Sequence, residues 1–216
     1  MAPLSSSDLT EDKRALRREM GARRAALPES ERRARSEAAS ARLLGLPELA
    51  SLGAGERPRT IAGYVAAKGE IDPAPALATA AAAGAVVALP RVDPAGQRLR
   101  FHRADFRPLL PERFGPLVPG AFGLLEPAAT APEVPIEDLD VVIVPGLAFD
   151  SQGRRVGFGG GFYDRTFGDR RGAPLVGLAH DFQIVPRCPA GDGDVPVDVV
   201  VTDARELRPA VGGGTR

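Results

Sequence analysis

The stretch from Val141 to Phe167, VVIVPGLAFDSQGRRVGFGGGFYDRTF, limits the possible folds more than any other part of the chain. It opens with an unbroken apolar run, Val141 to Val144, which suits a strand buried on both faces. Pro145 and Gly146 end that strand, and Asp150 to Gly153 supplies a turn. Arg154 and Arg155 then lead into Gly157, Phe158, Gly159, Gly160 and Gly161, followed by Phe162, Tyr163 and Asp164. Backbone without a Cβ takes positive φ and comes close to a ligand, so successive N–H groups can line one concave anion site. A helix starting at FYDRTF adds its first free N–H groups to that site. The arginine pair offers phosphate partners, and Asp164 at the helix entrance is a candidate to hold a magnesium ion against phosphate oxygens. The order suits a polyphosphate with its metal.

The common nucleotide signatures are absent. No G-x-x-x-x-G-K-[ST] string occurs, and after Gly157 and Gly159 the third glycine position of a dinucleotide fingerprint is Phe162. Glycine runs are more often turns or linkers than phosphate sites, but aromatics and an acid directly after this one argue against a linker. With 216 residues and a formal net charge of +0, the chain fits one domain with a substantial core, and charge gives no support to a nucleic-acid or anionic-membrane role. Cys188 is the sole cysteine, which excludes an internal disulfide and fits a reducing cytosol. With His102 and His180 the only histidines, a structural zinc site is set aside, and any metal is expected to be oxygen-bound. The first thirty residues lack the apolar stretch of a signal peptide, and Ala74 to Pro90 is too short and too broken to span a bilayer. A cytoplasmic location is expected.

Read in order, Met1 to Ser7 and Glu206 to Arg216 are expected as tails around a domain at 8–205. Asp8 and Glu11 resemble a helix-capping arrangement for a helix to about Leu27, on which Lys13 and Arg17 are one turn apart. Pro28 opens a second helix to about Leu46. Thr60 to Ala66 reads as a strand, and KGEID (Lys68 to Asp72) as a strand end, where ligands gather in open parallel sheets. Glu70 is thus a candidate substrate contact, against the plainer reading of a solvated loop acid. Ala74 to Ala83 reads as a helix, and Val86 to Leu89 as the next strand of a parallel crossover, with Arg91 at its carboxyl end. Leu99 to His102 is a short strand, and Pro108 to Pro135 a long loop containing Glu126. Leu175 to Leu178 is another strand; Asp194 to Thr202 contains the last, with Asp198 entering a buried run and in need of a partner. The fold class is α/β: one domain with a mainly parallel, Rossmann-like open sheet flanked by helices, plus an N-terminal helical segment.

The ordered set Pro145, Gly146, Ala148, Phe149, Asp150, Gly153, Arg155, Gly157, Gly159, Gly160, Gly161, Phe162, Tyr163 and Asp164 resembles the signature of the 5-formyltetrahydrofolate cyclo-ligase family, close to PG-x-AFD-x-x-G-x-R-x-G-x-GGGYYD. Phe162 stands where the first of two tyrosines is usual; the hydroxyl is lost and the ring retained. Lys13, Arg14 and Arg17 are similar to the family's KR-x-x-R segment, and Tyr64 with Glu70 to its aromatic and acid at a strand end. The resemblance implies ATP-dependent conversion of 5-formyltetrahydrofolate to 5,10-methenyltetrahydrofolate, with ADP and phosphate released, using Mg²⁺; a monomer is expected. It implies ATP contacts from Lys13, Arg14, Arg17, Arg155, Val156, Gly157, Phe158, Gly159, Gly160, Gly161, Phe162 and Tyr163. Folate contacts are implied at Tyr64, Val65, Glu70, Phe158, Phe162 and the glycines between those two rings. Arg155 and Asp164 are the implied catalytic pair, and Asp164 with Asp198 the implied metal ligands. Two other readings use the same glycine segment: a sugar-phosphate isomerase-like enzyme without ATP, and a regulator that binds nucleotide and folate without turnover.

Overall fold

The computed structural model describes residues 6–50, 57–93, 95, 97–105, 114–169 and 172–209, with only the backbone of residues 6–8. Helices α1 (Ser6–Ala25) and α2 (Glu29–Leu44) come first, then strand β1 (Thr60–Ala62), helix α3 (Ala74–Ala82), β2 (Val86–Val92) and β3 (Leu99–Arg103). Short strands β4 (Leu117–Pro119), β5 (Leu125–Pro127) and β6 (Glu133–Val134) precede the central strand β7 (Val141–Pro145). β8 (Ala148–Phe149), β9 (Arg155–Val156), α4 (Phe162–Phe167), β10 (Leu175–Ala179), β11 (Val199–Thr202) and β12 (Glu206–Leu207) complete the order.

The main sheet runs β12-β11-β10-β7-β1-β2-β3-β6. Its middle, β11-β10-β7-β1-β2, is parallel, with registers such as Val176 beside Ile143 and Ile61 beside Val87; β12, β3 and β6 add antiparallel edges. Along β7 side chains alternate. Val141 and Ile143 pack with Leu43 of α2 and Leu77 of α3, while Val142 and Val144 pack with Phe101 and Phe167 on the other face. Both faces being covered explains the apolar run, each such side chain contributing about 1.5–3 kcal/mol on burial. The expected α/β sheet is therefore present.

Several boundaries differ from expectation. α1 begins before Asp8, so that residue lies inside the helix instead of capping it. β1 stops at Ala62, and the chain leaves the sheet past Gly63, where only glycine fits because a Cβ would come within 2.6 Å of Leu77 Cδ1. The long loop expected from Pro108 contains the β4–β5 hairpin and β6 where it is described. Glu206–Leu207, expected in a tail, pairs with β11. The ring of Phe149 fills a slot between two glycines: a Cβ on Gly146 or on Gly177 would lie 2.6 or 2.5 Å from its ring carbons. Among the described residues no helix is long and apolar enough to cross a membrane.

Candidate active site

The turn after β8 is built on Asp150, which is fully buried. Its carboxylate accepts from the N–H groups of Gln152 (2.9 Å), Arg154 (3.1 Å) and Cys188 (2.8 Å), and from Arg154 Nε (2.7 Å). Arg154 is thereby committed to the turn and not to a ligand. The hairpin formed by β8 and β9 delivers Arg155 inward and the glycine segment outward. Gly159 lies at φ 107 and Gly161 at φ 64, both in the left-handed region, and Gly161 precedes α4. The N–H groups of Phe158, Gly159 and Gly160 find no acceptor among the described residues. Such free, consecutive donors are what an anion-binding concavity requires.

Helix α1 lies against this hairpin because Leu16 and Met20 pack with Leu147, Ala148, Val156 and Cys188. That docking turns the face bearing Lys13, Arg17 and Arg24 toward the glycine segment. Arg17 Nε donates to the Gly157 carbonyl at 2.9 Å, and its guanidinium lies opposite Gly159. Lys13 Nζ donates to Asp194, whose carboxylate also accepts from Gly191 N–H at 2.8 Å. Arg155, only 6% exposed, donates to Asp164 Oδ1 at 3.0 Å and to the Val195 carbonyl at 2.6 Å. Val195 N–H returns a bond to Asp164 Oδ1 at 3.0 Å. Cations and acids thus alternate along one wall beside the free amides.

The opposite wall is the turn at Lys68 and Gly69, with φ of 51 and 75. A lysine in that region stores strain on the order of 1–3 kcal/mol, so the turn needs clamping. Arg24 Nε and Nη2 both donate to the Lys68 carbonyl (3.1 and 2.8 Å), and His180 Nε2 bonds the Gly69 carbonyl at 3.0 Å. The turn presents Glu70, which accepts from Ala67 N–H at 2.8 Å and faces Arg24 Nη1 at 3.9 Å. Burial pushes its carboxyl up to about 7, against the opposing pull of that N–H, Arg24 and Lys68. A cleft of about 500 Å³ opens between the walls, lined by Arg17, Arg24, Lys68 and Phe158 among others.

Of the expected site residues, Arg17 and Phe158 line this cleft; Glu70 sits in the turn that forms its wall, and Lys13, Arg155 and Asp164 make their own contacts around the Asp194–Val195 segment. Arg14 is not among them: one step round the helix from Lys13, it is exposed to solvent. Asp198 lies elsewhere. Its carboxylate accepts from Leu175 N–H at 2.7 Å at the amino ends of β10 and β11, so the acid next to the Asp164 neighbourhood is Asp194. Tyr64 is buried in the core with its hydroxyl bonded to the Ile71 carbonyl at 2.7 Å, supporting the Glu70 turn from beneath; Val65 packs against the same core. Burial also raises the Tyr163 hydroxyl, whose ring stacks on Phe167. Phe162 makes an edge contact with Phe122 of the β4–β5 connection, centroids 5.6 Å apart. Arg91 ties that hairpin to β2 through the Pro127 carbonyl (2.8 Å) and Glu126 (3.6 Å).

Sequence reasoning missed Arg24 and Asp194. Asp194 stands four residues before Asp198, and only the path of the intervening segment decides which of the two approaches Asp164.

Known proteins share this arrangement at the level of sequence and fold. The profile of the 5-formyltetrahydrofolate cyclo-ligase family matches residues 9–203. The chain is 34% identical to the 5-formyltetrahydrofolate cyclo-ligase of Escherichia coli K12 over 187 residues, covering 85% of this chain and 95% of that one. It is 34% identical over 154 residues to the cyclo-ligase of Mycolicibacterium smegmatis, covering 69% and 76%. The solved structure of Aquifex aeolicus 5,10-methenyltetrahydrofolate synthetase superposes with a TM-score of 0.74 at 35% identity, covering 94% of this chain and 96% of that one. The Mycoplasma pneumoniae synthetase, 22% identical, shares the fold with a TM-score of 0.68. The match runs through both helices, the clamped turn and the glycine segment, and on that basis the chain belongs to the 5-formyltetrahydrofolate cyclo-ligase family.

Proposed function

We propose that this protein closes 5-formyltetrahydrofolate to 5,10-methenyltetrahydrofolate at the expense of ATP, releasing ADP and phosphate. The observation that carries the reading is Arg17, bonded to the Gly157 carbonyl beside the free amides of Phe158 to Gly160, facing the Lys68–Gly69 turn across one cleft. A formamide oxygen is a poor leaving group. Transfer of the γ-phosphoryl group to that oxygen makes it a good one; N10 then attacks the activated carbon and inorganic phosphate departs. Phosphoryl transfer asks little covalent chemistry of a protein and much positioning and charge neutralisation. Arg17 and the amides seat the triphosphate, Lys13 and Arg155 neutralise it, and Glu70 and the exposed ring of Phe158 face the folate.

Asp164 in α4 and Asp194 in the segment before β11 are hard oxygen donors, brought near one another where Val195 N–H donates to Asp164. Two carboxylates fit the habits of magnesium, which takes one or two of them with phosphate and water oxygens. Bound there, the ion would offset charge on the transferring phosphate. The same two acids pair with Arg155 and Lys13, which brings cations and candidate metal ligands together.

The test is purified protein with ATP and 5-formyltetrahydrofolate, following ADP release and methenyl absorbance together. Equal rates of the two signals are expected; ADP without methenyl product, or neither, removes the reading. Isomerase-like chemistry would proceed without ATP, and a binding regulator would leave ATP intact.

A further inference from the structure

Among the described residues, Arg24 holds the one guanidinium or ammonium nitrogen that is buried without a hydrogen-bond acceptor. The residue is 1% exposed, and two of its nitrogens clamp the Lys68 carbonyl. Nη1 is buried with no hydrogen-bond partner, and Glu70 Oε1 at 3.9 Å is within ion-pair range but beyond bonding distance. A buried, unused N–H donor costs on the order of 1–3 kcal/mol, so its retention beside a cleft points to a ligand atom that completes it. The cover over this guanidinium is the Phe158 ring, whose centroid is 5.3 Å away. That ring is 47% exposed and belongs to the glycine segment, so it is free to swing aside or to stack on an incoming flat heterocycle.

Donor and acceptor side by side define what fits. Glu70 Oε1 accepts, Arg24 Nη1 donates, and they stand 3.9 Å apart. Two roughly parallel hydrogen bonds to an adjacent ring N–H and carbonyl place their partners roughly 3–4 Å apart. We propose that Arg24 and Glu70 together read the lactam edge of the pterin, Glu70 accepting from the ring N–H and Arg24 Nη1 donating to the C4 carbonyl oxygen. This rests on the folate reading above and makes Arg24 a specificity-determining residue.

The test is a cycle between protein and ligand. 5-Formyltetrahydrofolate is compared with its 4-amino-4-deoxy analogue, in which an NH₂ donor replaces the C4 oxygen facing Arg24 and N3 loses the proton offered to Glu70. Wild-type protein should bind the lactam at least about tenfold more tightly, as expected when a buried donor is left unpaired or opposed. In Arg24→Met the preference should fall by at least about threefold, the remainder coming from the Glu70 contact, while affinity for a non-hydrolysable ATP analogue stays within about twofold. A merely structural role would weaken both folates equally and leave their ratio unchanged, which overturns the assignment. So does wild-type protein that binds the two folates alike. Should Arg24→Met not fold, Glu70→Gln carries the test: lactam affinity falls about tenfold if the pair reads that edge, and unchanged affinity overturns it. Wild-type turnover with an unchanged ratio in Arg24→Met sinks this inference alone, whereas no folate binding by wild-type protein removes the functional reading and the inference with it.

Discussion

Glu70 is the residue at which burial and function oppose one another most clearly. Its carboxyl sits at about 7 in the folded protein against 4.5 for an ordinary glutamate, with burial the largest cause. Between those values the folded protein holds a proton that the unfolded chain has released, so stability falls as pH rises through this window and stays lower above it. Glu70→Gln cannot titrate. Its melting temperature relative to wild type should therefore be higher at pH 8 than at pH 5, by an amount approaching 3 kcal/mol in stability or several degrees. An unchanged difference across that range would show that Glu70 is solvated as a plain loop acid. Asp164 makes a contrasting case, since it accepts from Arg155 and Val195 at the cleft edge. Asp164→Asn keeps the shape and removes the charge; turnover should fall by at least about a hundredfold with folate affinity retained, read by steady-state kinetics and equilibrium binding.

At the scale of elements, the β8–β9 hairpin and the turn at its tip depend on one buried acid. Asp150→Ala leaves the donors of Gln152, Arg154 and Cys188 without an acceptor, so a loss of about 3–5 kcal/mol in denaturant unfolding is expected. This hairpin was legible in sequence as a turn followed by glycines, because Asp150 to Gly153 and the apolar run before it are local signals. The strand register was not, since Ala148 finds Val156 only through the geometry of that turn. The β4–β5 hairpin was unreadable for a different reason. Its segment is dense in proline and glycine, and what orders it is distant: Glu126 accepts from Val92 and Ala121 N–H and pairs with Arg91. Asp198 was misjudged on the same ground, for an acid before a buried strand needs a partner, and here a neighbouring strand's N–H at Leu175 meets that need without a metal.

For the whole molecule, α1 is an integral wall of the cleft and not an appendage. It covers Leu147, Ala148, Val156 and Cys188 through Leu16 and Met20, and it clamps the Lys68 turn through Arg24. Deleting residues 1–27 should expose that patch, abolish turnover and lower solubility, measured by dye binding to apolar surface and by the coupled ATP assay. The sheet was visible in the sequence as short apolar runs, and α1 as a helix with Leu16 and Met20 on one face; where that face docks was not. One detail of the interior bears on the history of the sequence. With the Phe149 ring wedged against Gly146 and Gly177, neither glycine can gain even a methyl group until the aromatic has shrunk, yet shrinking it first opens a void in the core. Descendants of this chain are thus expected to keep all three letters or to lose them together, so the trio should change as a block among distant relatives.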